Sequence, residues 1–196
     1  NKSNAQLLLG YIYYEGKYIQ RDINKSIHYF TLSSNKNNAD AQYYLGFIYY
    51  EGYYIHRDIN KSIHYFTLSS NQNNPHAQLF LGQIYFEGQY IQRDINKSIH
   101  YFTLSSNQNN SCAQFFLGLI YYEGKYIKRD INKSIYYFTL SANQNTVALN
   151  NLAYIYLIGE CVPRNISKAI HYYSLAAKKN YSISQYNLGL IYYDGE

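Results

Sequence analysis

The sequence predicts an all-α fold in which antiparallel helix pairs stack along the chain as a solenoid. Three observations lead to this prediction: a 36-residue period, apolar positions at helical spacing within each period, and Asn and Gly at the expected helix ends. Residues 21–35 return unchanged at 57–71 and 93–107. A fixed period of roughly 20–50 residues is typical of architectures in which each repeat buries its apolar face against the next.

The chain of 196 residues divides into five complete repeats and the opening of a sixth. We place them at about residues 5–40, 41–76, 77–112, 113–147 and 148–183, with a partial repeat at 184–196. Together they predict one solenoid domain over residues 1–196. Since the chain contains no Met, we expect it to be a segment of a longer protein.

The first half of each repeat predicts a helix. Ala5, Leu9, Ile12 and Tyr13 follow one another at i, i+4, i+7 and i+8, which places them on one helix face. A Gly follows in the next turn, and it readily adopts the left-handed backbone conformation that ends a helix. The Gly positions are 16, 52, 88, 124, 159 and 195, and the N-cap candidates are Asn38, Asn74, Asn110 and Asn145.

The second half of each repeat predicts another helix after a connection of about six residues. Asp22 is an N-cap type whose charge also suits the positive helix end. Ser26, Phe30 and Ser33 recur at helical spacing, and the small residues among them, like Gly10 on the first helix, permit a close approach of the two helices. We expect the Ile19 equivalents to close the helix pair from the loop side.

The composition excludes several classes of protein. The net charge is 17 − 12 = +5 and only 15% of residues are charged, so the basic face of a nucleic-acid-binding protein is not expected. The longest apolar runs are far below the roughly 18–20 residues of a membrane span, so none is expected in this segment. Two Cys residues exclude a disulfide-rich secreted scaffold, and we interpret Cys112 and Cys161 as free thiols.

The repeat unit resembles the Sel1-like repeat, a relative of the tetratricopeptide repeat. In the second repeat the resemblance rests on these residues: Ala41, Leu45, Gly46, Tyr49, Gly52, Asp58, Lys61, Ser62, Tyr65, Ser69 and Ser70. The family usually has Ala where this chain has Ser26, Ser33 and Ser34; a Ser hydroxyl in a helix can bond back to an i−4 carbonyl, which is a mild loss of stability and leaves the fold intact. The fifth repeat has Ala153 in place of Gly and Asn165 in place of Asp.

Titratable residues occur at equivalent places in successive repeats, whereas catalysis needs one asymmetric cluster in a single pocket. Capping accounts for the Asp column, and neither a phosphate-binding Gly-rich loop nor a His-Glu-x-x-His motif is present. We therefore predict no enzymatic activity, no metal and no cofactor. The recurring His28, His64, His100 and His171 predict a solvated column, with a pH-responsive face as the alternative.

First helices differ between repeats at a few positions outside the core stripe, and large aromatic residues are frequent there. Our hypothesis is that seven of them form a groove for a peptide or protein segment: Tyr44, Phe47, Tyr50, Phe80, Phe86, Phe116 and Tyr122. Aromatic side chains bind partners at a low cost in conformational entropy, because they have few rotatable bonds to immobilise. The alternative is that these rings pack between adjacent repeats and fill the stack.

The resemblance implies a right-handed superhelix whose first helices line the concave side, and a non-enzymatic scaffold or adaptor in protein complexes and signalling. We expect a cytoplasmic location. The alternative is an adaptor in protein degradation in the endoplasmic reticulum, which glycans on the Asn-x-Ser sites would favour. These sites are Asn1, Asn24, Asn60, Asn96, Asn132, Asn165 and Asn180. We interpret them as coincidental, since Asn is frequent throughout the chain and the triplets at Asn24, Asn60, Asn96 and Asn132 were copied by duplication.

Overall fold

The computed structural model describes residues 2–193 and 195, and these residues form helices and turns without a β-strand, which confirms the all-α prediction. Asn1, one of the predicted Asn-x-Ser sites, lies outside the described residues. The helices are α1 (Lys2–Glu15), α2 (Ile23–Ser34), α3 (Ala39–Glu51), α4 (Ile59–Ser70), α5 (Pro75–Glu87), α6 (Ile95–Ser106), α7 (Ser111–Glu123), α8 (Ile131–Ser141), α9 (Thr146–Ile158), α10 (Ile166–Lys178) and α11 (Ser182–Tyr193).

The described residues fall into two compact units, an N-terminal unit up to Ser105 and a C-terminal unit from Ser106. In the N-terminal unit α3 packs against α2 and α4, and it also touches α1 and α5. Within this unit the first helices α1, α3 and α5 therefore form one layer, and α2 and α4 pack against it. In the C-terminal unit each helix from α7 to α11 packs against the next one.

The first helices begin and end at the predicted residues. The Asn38 side chain accepts a hydrogen bond from the Ala41 backbone N–H at 3.0 Å, which caps α3. Gly52 ends α3 with φ of 66°, a left-handed conformation that costs glycine little. The same pair of caps encloses α5, α7 and α9, so the repeated Asn and Gly set the length of each first helix.

The second helices are capped by Asp, as predicted. Asp58 accepts from the Lys61 backbone N–H at 3.0 Å, and Asn165 caps α10 in the same way, accepting from Lys168 N–H at 2.9 Å. In the turn that follows α4, Asn73 has φ of 62°, and Asn37 has the equivalent conformation after α2. Asn tolerates this left-handed region better than other residues with a side chain, so a short turn leads directly to the next N-cap.

The two helices of a repeat approach closely at a Gly–Phe contact. A Cβ added to Gly46 would lie 2.6 Å from Cδ1 of Phe66, whose side chain is fully buried. Phe66 packs with Leu81 and Ile84 of the following repeat, so its ring joins two repeats. In the fifth repeat Ala153 takes the Gly position and the fully buried Tyr173 takes the Phe position.

The Ser26 and Ser33 hydroxyls bond across the helix pair and not back along their own helix. Ser26 Oγ donates to the Gly10 carbonyl at 2.9 Å, and Ser33 Oγ donates to the Ser3 carbonyl at 2.9 Å. Both bonds cross the helix pair, where buried first-helix carbonyls accept a second hydrogen bond. Thr103 does bond back, to the Ile99 carbonyl at 2.7 Å, because it lies outside this contact.

The connection after each first helix is held by Arg and Ile. Arg57 donates to the Glu51 backbone carbonyl at 3.1 Å, and its guanidinium lies 4.8 Å from the Tyr90 ring centroid of the next repeat. Ile55 and Ile91 pack against the core clusters, as expected for the Ile19 column, although Ile19 itself is exposed.

Candidate protein-binding surface on the first helices

The seven predicted contact residues are all half-buried on first helices. In the N-terminal unit Tyr44, Phe47, Tyr50 and Phe80 belong to one continuous set of touching rings: Phe80 lies 5.5 Å from Phe47 and 5.4 Å from Tyr50. Phe86 lies near the end of α5 in the same unit.

The two remaining predicted residues belong to the C-terminal unit. Phe116 lies 5.9 Å from Phe115 on α7. Tyr122 packs against the core cluster around Phe138, and the Arg129 guanidinium lies 5.2 Å from its ring centroid.

Two of the rings also join adjacent repeats. Tyr44 stacks on Phe30 with a centroid distance of 5.0 Å and an interplanar angle of 4°, and Phe80 stacks on Phe66 at 5.2 Å and 9°. Each stack places a first-helix ring against the second helix of the preceding repeat. One part of each ring therefore packs between adjacent repeats, as in the alternative interpretation, and another part of each remains accessible to solvent.

A groove of about 460 Å³ opens beside Tyr44 in the N-terminal unit. Its apolar lining comes from α1 and α3, and Leu8 and Tyr11 are 58% and 40% exposed there. The complete lining is Asn4, Leu7, Leu8, Tyr11, Asp40, Tyr43, Tyr44, Asn74 and His76.

The polar edge of this groove is organised by the helix caps. Asn74 accepts from the His76 and Ala77 backbone N–H groups, both at 3.0 Å, and donates its own amide N–H to Asp40 Oδ1 at 3.1 Å. One side chain thus caps α5 and fixes the carboxylate of Asp40 at the groove. In the preceding repeat Asn38 takes the place of Asn74 and donates at 3.4 Å to Asn4, a neutral side chain in the place of Asp40.

The hydroxyls of Tyr43 and Tyr44 remain protonated at neutral pH. Burial raises the pKa of Tyr43 to about 12, with smaller contributions from Tyr44, Tyr14 and Glu51. Burial also raises the pKa of Tyr44, and the negative charges of Asp40 and Glu15 add to this effect. Each hydroxyl can therefore donate a hydrogen bond to a partner.

The sequence analysis missed Tyr43, Asp40 and His76. Tyr43 lies 5.7 Å from His76 and 6.1 Å from Phe80, so it connects the groove to the predicted rings. The equivalent positions of the successive repeats hold Leu7, Tyr43, Leu79, Phe115 and Asn150. This variation between repeats could have identified Tyr43 as a surface residue. Buried Gln42 was missed as well. It accepts from Gln72 Nε2 at 2.7 Å.

The His column is exposed, and each ring has an edge contact with the neighbouring tyrosine, such as His64 with Tyr65 at 5.2 Å. Among the described residues no three His, Cys, Asp or Glu side chains come together as a metal site. Cys112 and Cys161 are both free and exposed, as predicted. No described helix has the length and apolarity needed to cross a membrane.

Two bacterial proteins of known structure resemble the whole chain. A protective antigen present in uropathogenic Escherichia coli strains, which displays the same repeat fold, superposes with a TM-score of 0.94 at 28% identity over 98% of this chain. The chain spans only 42% of that antigen. A Sel1 repeat protein from Oxalobacter formigenes superposes with a TM-score of 0.86 at 27% identity, covering 100% of this chain and 80% of its own.

A Klebsiella pneumoniae Sel1 repeat protein shares the fold at a TM-score of 0.60 and 17% identity, covering 96% of this chain and 92% of its own. No curated protein matches the sequence significantly. The family model described as Sel1 repeat matches residues 3–38, 39–74, 75–110, 113–145, 146–181 and 182–196. The chain therefore belongs to the Sel1 repeat family and has its solenoid fold of packed helix pairs.

Proposed function

We propose that this chain is a non-enzymatic scaffold that binds a segment of another protein on the first helices of its N-terminal unit. The observation that carries the proposal is the groove beside Tyr44, with an apolar floor, exposed Leu8 and Tyr11, and a polar edge. Binding sites combine this kind of lining with a few fixed polar groups that orient the bound chain. Asp40 and Asn74 are such groups, since each is held by the other.

The pattern of variation between repeats supports the same surface. Second helices repeat almost without change, because their residues cap, pack and bond to the first helices. First-helix surface positions differ from repeat to repeat, as a surface that recognises an irregular partner requires. On this basis Phe86 remains a proposed contact residue beside Tyr44, Phe47, Tyr50 and Phe80 in the N-terminal unit, and Phe116 and Tyr122 remain proposed contact residues on the first helices of the C-terminal unit.

A scaffold role also accounts for the acidic residues of the second helices without catalysis. Asp22 and Asp58 each accept a helix N–H and pair with Lys25 or Lys61 at 3.5 and 3.4 Å. A carboxylate occupied in this way is a structural cap.

We place the protein in the cytoplasm. Asn24 of the Asn-x-Ser triplet lies in the first turn of α2, and the accompanying Ser26 is buried in a bond to Gly10. The triplet thus has a structural use in the helix pair, whereas glycan acceptors belong on surface loops. A mass shift on enzymatic deglycosylation of the cell-derived protein would instead support the endoplasmic-reticulum adaptor.

The binding proposal is tested by a photo-crosslinking amino acid placed at Tyr11 in the groove or, as a matched control, at Tyr53, a loop tyrosine that is 79% exposed. We expect position 11 to crosslink reproducibly to one peptide segment in cells and position 53 not to do so. The affinity of that synthetic segment should fall in Tyr11→Ala and stay unchanged in Tyr53→Ala. Equal crosslinking at both positions, or equal affinities of the two variants, would contradict the proposal.

A further inference from the structure

The carboxylates of the two helix layers differ in their pairing. On second helices Asp22, Asp58 and Asp94 each form an ion pair with the Lys three residues later. On the first helices of the N-terminal unit, four carboxylates form no ion pair with any described residue. They are Glu15, Asp40, Glu51 and Glu87.

These four carboxylates accompany the aromatic surface. Asp40 lines the groove and lies one helical turn before Tyr44, Glu15 lies one turn after Tyr11, and Glu51 one turn after Phe47. Arg21 and Arg57 are the nearby cations of the connections. Each of them donates to a backbone carbonyl, of Glu15 and Glu51 respectively, and lies over a tyrosine of the next repeat.

The tyrosines of the first helices differ in whether a cation of the chain lies over them. At the junction with the second helices, Lys25 lies 5.2 Å from the Tyr13 ring centroid and Lys61 lies 5.1 Å from that of Tyr49. In the groove, no Lys or Arg of the described chain lies over Tyr11, Tyr43 or Tyr44. The chain therefore places cations over several first-helix tyrosines outside the groove and over none of the three tyrosines in it.

We infer that the groove of the N-terminal unit binds a cationic peptide segment, one that carries Lys or Arg side chains. This inference rests on the proposed function and adds the charge of the partner to it. An ammonium or guanidinium group within about 6 Å of a tyrosine face is attracted by the ring. The unpaired carboxylates supply the opposite charge at both ends of the first helices. The surface is thus complementary to a basic partner, although the chain as a whole has a net charge of +5.

The test uses three fluorescent twelve-residue peptides with one Ala/Leu/Ser/Gly framework and four Lys, four Gln or four Glu residues, titrated by anisotropy with the 196-residue chain. We expect the Lys peptide to bind about tenfold more tightly than the Glu peptide at about 50 mM salt, and the difference to shrink at about 200 mM. Preference for the Glu or Gln peptide overturns the inference.

Two variants with the same net charge locate the effect. Glu15→Gln, Asp40→Asn, Glu51→Gln and Glu87→Gln together should weaken Lys-peptide binding about tenfold. The control replaces Asp22, Asp58, Asp94 and Asp130 by Asn, which retains the caps because Asn165 caps α10 equally well. We expect the control to bind like the wild type, and circular dichroism verifies the fold of both variants.

The outcomes separate the two proposals. Equal Lys-peptide binding by both variants overturns the charge inference. If the segment crosslinked at position 11 is bound normally by the first variant and carries no Lys or Arg, the inference fails and the scaffold proposal stands. If neither the peptides nor any crosslinked segment binds, both fail.

Discussion

Gly46 lies where α3 crosses α4, and the structure predicts that a single methyl group there is costly. The Cβ of Gly46→Ala would lie 2.6 Å from Phe66 Cδ1 and 2.8 Å from Cε1. This is about 1 Å inside a normal carbon–carbon contact of about 3.5–4.0 Å. Phe66 cannot yield easily, because it is fully buried and Phe80 stacks on its ring at 5.2 Å.

The magnitude follows from two opposing effects. Overpacking of a core costs about 1–3 kcal/mol, and this overlap belongs near the upper end. Replacing a helical Gly by Ala returns about 1 kcal/mol. Gly46→Ala should therefore lower the free energy of unfolding by about 2 kcal/mol. The equivalent Gly189 on α11 has no atom within 4 Å of its added Cβ, so Gly189→Ala should instead stabilise its helix, by up to about 1 kcal/mol.

Urea unfolding followed by circular dichroism measures Gly46→Ala, and amide hydrogen exchange along α11 measures Gly189→Ala. A double-mutant cycle with Phe66→Leu isolates the contact, because the smaller side chain should relieve the cost of the added methyl group. Stabilisation by Gly46→Ala, or a cost that does not depend on residue 66, would refute the close-approach explanation.

Three further predictions concern caps and titration. Asn74→Ala should lower the free energy of unfolding by about 1–2 kcal/mol in urea titrations, since it removes the α5 cap and frees Asp40. The Lys61 backbone N–H lowers the pKa of Asp58, so its stabilisation is present above the unfolded pKa of about 4 and is lost as pH falls through the folded pKa. The urea concentration at the midpoint of unfolding should therefore decrease as the pH is lowered below about 4, and this decrease should be smaller in Asp58→Asn. Burial raises the pKa of Tyr43 to about 12, so stability should fall as pH rises from about 10 to 12, and Tyr43→Phe should reduce this loss in alkaline urea titrations.

Much of the fold could be predicted from the sequence because local chemistry sets the helix ends. Asn38, Gly52 and Asp58 act within one turn of their own position, and each occupies its predicted cap. The contact of Gly46 with Phe66 could also be anticipated, since a small residue recurs on the helix face opposite a large one.

The site was only partly predictable, because its contacts run between repeats. The stack of Tyr44 on Phe30 depends on how far one repeat is displaced from the next, and a 36-residue period does not specify that displacement. Within one repeat, the Ser26 hydroxyl selects the carbonyl of Gly10 across the helix pair, and the helical spacing of small residues does not specify that partner. The groove itself forms between α1 and α3, so no single repeat contains it.

Hydroxyl-radical footprinting of the complex with the crosslinked segment tests the binding surface most directly. Leu8 and Tyr11 are accessible in the free chain and line the groove, whereas Tyr53 is accessible on a loop. We predict that the partner protects Leu8 and Tyr11 from oxidation and leaves Tyr53 and the exposed His64 of the second helix unchanged. Protection of Tyr53 or His64 without protection of Leu8 and Tyr11 would place the partner elsewhere and contradict the account.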